Sequence, residues 1–90
     1  MLVMTRDINN RVADDTAFAK RVTEGIARFA RKDWGDVCEE DWSSNTENMQ
    51  SLNDGNGGMV LASYEGTNGL DKFWIIRDAQ ATTVLFPSEY

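Results

Sequence analysis

The chain is predicted to be an α+β domain, with two helices packed on a small antiparallel sheet of three to four strands. Three observations carry this expectation. Phe18, Val22, Ile26 and Phe29 recur at spacings of four, four and three, which places them on one face of a helix. Residues 59–64, 72–77 and 81–86 are apolar runs separated by turn-forming residues, the pattern of an antiparallel meander. Ninety residues, 41% of them hydrophobic, are enough for one modest core, so residues 1–90 are read as a single domain.

The elements follow in order. Residues 1–4 are apolar and read as a brief strand or a loose end, and residues 7–10 read as a turn. Asp14-Asp15-Thr16 offers side-chain oxygens that can accept the free amide hydrogens of a first helical turn. The first helix is therefore placed at 15–31, with Gly25 as a mild internal weakness. A tight connection at 32–36 precedes a second helix at 37–52, where Trp42, Asn45, Met49 and Leu52 share a face. That helix stops at Asn53-Asp54-Gly55-Asn56-Gly57-Gly58, since Gly and Asn accept positive φ readily. A turn is expected at 65–69 and a shorter one at 78–80. Between them the consecutive apolar residues Phe73-Trp74-Ile75-Ile76 suggest a central strand covered on both faces. Pro87 ends the last strand, because it has no amide hydrogen to donate.

Charge is distributed unevenly. Residues 1–32 hold seven bases and four acids, whereas residues 33–90 hold two bases and eleven acids, within a net charge of −6. Between Lys32 and Lys72 there are nine carboxylates and no basic side chain. Such a block projects a negative field that attracts basic surfaces, although acids also serve simply to keep a small domain soluble. A direct nucleic-acid binder of this size would normally be basic, so direct contact with nucleic acid is not expected. One cysteine, no secretory leader pattern and no long apolar run together point to a cytoplasmic protein without membrane contact.

The residues for common catalytic chemistry are missing. With no histidine, triads, Cys–His pairs and His-ligated metals have no base or ligand within one chain. Cys38 stands beside Glu39 and Glu40, whose charges oppose thiolate formation, so it reads as structural or incidental. Asp36 could share a helical face with Glu39 or Glu40 and hold a divalent cation weakly, but an acidic helix start explains them better. The segment from Asp54 to Glu65 fails as a calcium loop, since Gly58 offers no side-chain ligand and Met59 stands where the turn needs glycine. Phe73 and Trp74 lack the basic surround of a base-stacking surface and read as core. No catalytic residue, metal site or cofactor is expected, and the chain is read as a non-enzyme.

Two stretches carry a resemblance. One is Asp33-Trp34-Gly35-Asp36-Val37-Cys38-Glu39-Glu40-Asp41 followed by Asn45. The other is Lys72-Phe73-Trp74-Ile75-Ile76 leading to Thr82-Thr83-Val84-Leu85-Phe86-Pro87-Ser88-Glu89-Tyr90. Met4-Thr5-Arg6-Asp7-Ile8-Asn9 is a weaker third. Together they resemble a family of small uncharacterised proteins carried by bacterial plasmids and prophages, described as plasmid-related or restriction-associated. Two departures stand out: the turn at 78–80 is shorter than the family's, and Trp42 replaces a more usual lysine. The resemblance implies a mobile-element context and no catalytic residues.

Acidic proteins of mobile elements often resemble inhibitors of host defence. The leading expectation is an anti-CRISPR or antirestriction protein that covers the basic surface of a CRISPR effector or restriction complex. The expected contact residues are Asp33, Asp36, Glu39, Glu40, Asp41 and Glu47, with Trp34 or Trp42 as an apolar anchor. The alternative is an accessory or regulatory protein of a plasmid or prophage that forms a homo-oligomer, such as a homodimer, with its acids merely solvated. An enzyme using carboxylates and a metal is a third, weaker reading.

Overall fold

A computed structural model of the chain describes residues 1–66 and 72–90. Its order is β1 (Leu2–Met4), α1 (Arg6–Asp14), α2 (Thr16–Ala30), α3 (Glu39–Asn53), β2 (Val60–Tyr64), β3 (Phe73–Arg77) and β4 (Thr82–Leu85), closed by a 3-10 turn at Pro87–Glu89. The α+β class holds, with three helices and a four-stranded sheet. Part of the turn expected at 65–69 lies outside the described residues.

The sheet order is β1-β4-β3-β2. β2, β3 and β4 pair antiparallel, as the meander implied. β1 pairs parallel with β4, Leu2 opposite Thr82 and Met4 opposite Val84, so the sheet is mixed rather than purely antiparallel. The chain leaves β1 through the helices, re-enters the sheet at its far edge as β2 and comes beside β1 only with β4, and a long excursion of that kind permits parallel pairing.

Residues 7–10 are helical, which corrects the turn expected there. Asp and Asn are poor helix formers, and their local preference misleads. One local and two tertiary features override it. The Thr5 side chain caps α1 by accepting from the Ile8 amide at 3.4 Å. The Thr5 hydroxyl donates to Glu89 Oε1 at 2.8 Å, and Glu89 Oε1 also accepts from the Phe86 amide, tying this cap to the far end of the chain. Ile8 is fully buried, and Val12, one turn on, packs against the core. Asp15 then serves both helices: its amide closes the end of α1, and its carboxylate accepts from the Phe18 amide at 3.0 Å to cap α2.

α2 follows the expected stripe, with Phe18, Val22 and Phe29 buried and Ile26 packed beside them. Phe73, Ile75 and Val84 face them from one side of the sheet, together with Val60, Ala62 and Tyr64. Gly25 sits where a Cβ would lie 2.7 Å from the Phe73 ring, so this glycine is what lets helix and sheet approach. α2 ends in a Schellman arrangement: the Asp33 amide donates to Arg28 and the Lys32 amide to Phe29. The left-handed position, usually glycine, is Lys32, with φ of 64°.

The expectation that the central strand is covered on both faces needs correction. Phe73 and Ile75 are buried under the helices, but Trp74 and Ile76 on the other face are only partly buried. Register places Leu61, Thr83 and Val3 on that same face, all partly exposed, whereas Ser63 and Leu85, opposite Trp74, are buried there. The Tyr90 ring stands edge-on to Trp74 at 5.7 Å.

Candidate partner-binding surface

The segment from Trp34 to Asn48 closes the outer edge of β2. Ser63 donates its amide to Trp34 O at 3.1 Å and accepts from the Asp36 amide at 2.7 Å, forming a one-residue parallel bridge at Gly35. Gly35 has φ of 75°, and a Cβ there would meet the Ser63 carbonyl oxygen, so the close approach requires glycine. Further along, Asn45 Nδ2 donates to Leu61 O at 2.8 Å while Asn45 Oδ1 accepts from the Leu61 amide at 3.3 Å. Asn48 Nδ2 donates to Met59 O at 2.9 Å. An edge strand with free amides and carbonyls would recruit another strand, and this edge is satisfied within the chain.

These contacts fix how α3 lies. Asn45, Met49 and Leu52 point inward, and Trp34 Nε1 donates to Thr46 Oγ1 at 3.2 Å. The helix begins at Glu39, two residues after the expected start at 37, and its cap is Cys38, whose Sγ accepts from the Asp41 amide at 3.4 Å. Glu39, Glu40 and Asp41 occupy the first turn, where the unpaired amides favour negative charge.

The eight expected contact residues separate into three groups. Trp34 is fully buried and stacks edge-on against Phe29 at 5.2 Å, so it is a core residue and not a surface anchor. Asp33 and Asp36 hold the fold. Asp33 takes a two-pronged ion pair from Arg28, at 2.8 and 3.2 Å, and accepts from the Gly35 amide. The Arg28 guanidinium, with lesser help from that amide, holds its carboxyl below the usual range and is itself raised by the pair. Asp36 Oδ2 accepts from the Glu65 amide at 2.9 Å. The block between Lys32 and Lys72 is thus less free of counter-charges than its sequence suggests, since Arg28 reaches Asp33 and Lys72 pairs with Glu65 at 3.0 Å.

Glu39, Glu40, Asp41 and Glu47 form the second group, exposed on α3 without an ion pair among the described residues. Glu39, Glu40 and Glu47 border a shallow groove of about 670 Å³ with Cys38, Ser43 and Ser44. Asp41 lies round the helix, on a smaller hollow of about 270 Å³ shared with Val37, Met59 and Leu61. Ser43 and Ser44 were missed by sequence reasoning; their spacing of four from Glu39 and Glu40 is the signal that would have found them. Trp42 stands as the third group, a large side chain 37% exposed, three residues on from Glu39 along the helix surface.

No group of three or more acidic or cysteine side chains among the described residues is arranged to hold a metal ion. No helix among them is long and apolar enough to cross a membrane. No family model matches the chain, and neither a curated protein nor a solved structure matches it.

Proposed function

We propose that the chain is a mobile-element inhibitor of a bacterial nucleic-acid-targeting defence system, anti-CRISPR or antirestriction in kind. It acts by stoichiometric binding to a basic protein surface. The observation that supports this is the exposed surface of α3, where Glu39, Glu40 and Glu47 border one groove, Asp41 lies round the helix, none of the four has an ion pair among the described residues, and Trp42 is 37% exposed. A helix with acids held at fixed positions is suited to meet lysines and arginines that otherwise grip phosphates.

Magnitudes assign the roles. Exposed ion pairs contribute about 0.2–1 kcal/mol each, so four supply only about 1–4 kcal/mol. A micromolar complex needs about 8 kcal/mol. The acids therefore steer and orient, and Trp42 with its surroundings supplies the buried area.

The test is a phage or plasmid interference assay in hosts carrying one defence system each, followed by binding measurements on the system that is rescued. Lysine at Glu39, Glu40, Asp41 and Glu47 should slow association and abolish its dependence on salt. Asp33 and Asp36 are left intact because they hold the fold. If the folded reversal variant still binds and inhibits at the original level, the acidic-surface mechanism is wrong.

The second reading, a homo-oligomeric accessory protein of a plasmid or prophage, draws support from the sheet face away from the helices. Val3, Leu61, Trp74 and Ile76 are uncharged and partly exposed there. Light scattering over a dilution series separates the readings: a concentration-dependent dimer lost in Trp74→Ser, with no rescue by any defence panel, favours this one.

A further inference from the structure

We infer that a cleft at the C-terminal ends of α2 and α3 binds a small organic oxyanion: a phosphate or carboxylate carried on an apolar body. The cleft measures about 410 Å³, within the range of small-molecule sites. Phe29 and Met49 give it apolar walls, and Lys32, Asn53, Arg77 and Thr82 give it polar ones. In a chain with fifteen acids and nine bases, the charged lining residues are two cations and no carboxylate.

Arg77 is the centre of the argument. It is half-buried, on the helix-facing side of β3 opposite Val60 and Thr82. Its Nη1 donates to Asn53 Oδ1 at 2.9 Å and lies 2.8 Å from Met49 Sδ. Those contacts hold the guanidinium in place and leave the Nε and Nη2 donors without a protein acceptor among the described residues. That edge of the guanidinium is the one that grips a carboxylate or phosphate with two parallel hydrogen bonds.

Lys32 adds a second, independent sign. It occupies the left-handed position at the end of α2, where glycine would sit without strain. Its side chain has no ion-pair partner among the described residues. A bare structural role would need only the turn, whereas a lysine there puts a cation on the rim of the cleft. The C-termini of α2 and α3 oppose an anion with about half a negative charge each, and two full cations outweigh them.

The experiment is a titration followed by amide chemical shifts, using phenyl phosphate, inorganic phosphate and phenol as probes. Phenyl phosphate should shift the amides of Ala30, Lys32, Asn53 and Thr82 saturably, at least about tenfold more tightly than inorganic phosphate, while phenol leaves them unmoved. Arg77→Lys should weaken binding about tenfold although charge is kept, because the fork is lost. Lys32→Gln should weaken it severalfold, and Arg31→Gln, an exposed neighbour outside the cleft, should leave it unchanged. The inference is overturned if no saturable shift develops up to ~10 mM phenyl phosphate. It is equally overturned if sodium chloride reproduces the shifts, or if Arg77→Lys and Lys32→Gln bind like the parent.

Discussion

Replacing Asn45 with alanine tests how the edge of β2 is held. Asn45 is 6% exposed, and its amide spans both backbone groups of Leu61, at 2.8 and 3.3 Å. Alanine removes both partners at once. A typical hydrogen bond contributes a net ~0.5–1.5 kcal/mol, and stranding a buried group costs about 1–3 kcal/mol. Leu61 is only half-buried, so water can reach part of what is left unpaired. The expected loss is therefore about 2–3 kcal/mol. A domain of this size holds roughly 5–13 kcal/mol in total. The midpoint of thermal unfolding should fall by about 10–20 °C. Urea denaturation followed by tryptophan fluorescence measures the loss, and hydrogen exchange at the Leu61 amide should lose protection in step with it. Asn45→Asp sharpens the test. It keeps an acceptor for the Leu61 amide but sets a carboxylate against the Leu61 carbonyl. It should be at least as damaging as alanine at neutral pH, and partly rescued once acid protonates it into a donor. A loss below about 1 kcal/mol for Asn45→Ala would refute the account of α3 as the clamp on this edge.

Three further outcomes follow. Gly25→Ala should destabilise by about 1–2 kcal/mol in denaturant titration: the helix gains roughly 0.8–1 kcal/mol from alanine, but a Cβ 2.7 Å from the buried Phe73 ring forces repacking. Lys32→Gly should instead stabilise by about 0.5–1 kcal/mol, because glycine takes a φ of 64° without strain; an unchanged or lower melting temperature would count against strain at this position. On acidification, Asp33, lowered chiefly by Arg28, and Asp15 and Asp78, lowered chiefly by backbone amides, lie below their unfolded values. Their contribution is fully present above the unfolded pKa of about 3.9 and is lost as pH falls through the folded values. Stability should hold to about pH 4–5 and fall below it, and Asp33→Asn should flatten that acid limb in a pH series of melts.

Much of the fold was legible because local pattern and tertiary demand agree over long stretches. The stripe Phe18, Val22, Ile26, Phe29 became the buried face of α2, and three apolar runs became β2, β3 and β4. α1 was not legible, because Asp7, Asn9 and Asn10 argue locally for a turn while burial of Ile8 and the Thr5–Glu89 link argue for a helix over a separation of 84 residues. Of the eight candidate surface residues, Trp34 was misjudged because it is core, while Asp33 and Asp36 carry bonds that hold the fold, Asp36 remaining exposed. Asp33, Trp34 and Asp36 sit in the same acidic block as Glu39, Glu40 and Asp41, and composition cannot divide them.

The sequence alone determined the class of fold, the acidic bias beyond Lys32 and the absence of histidine, since these depend on spacing and residue count. Only the tertiary structure decided that β1 lies parallel to β4, that Trp34 is core, that Asp33 and Asp36 serve the backbone, and that Arg77 shares a cleft with Lys32. Each of those depends on which distant groups come within a few ångströms, and short-range periodicity carries no record of such contacts.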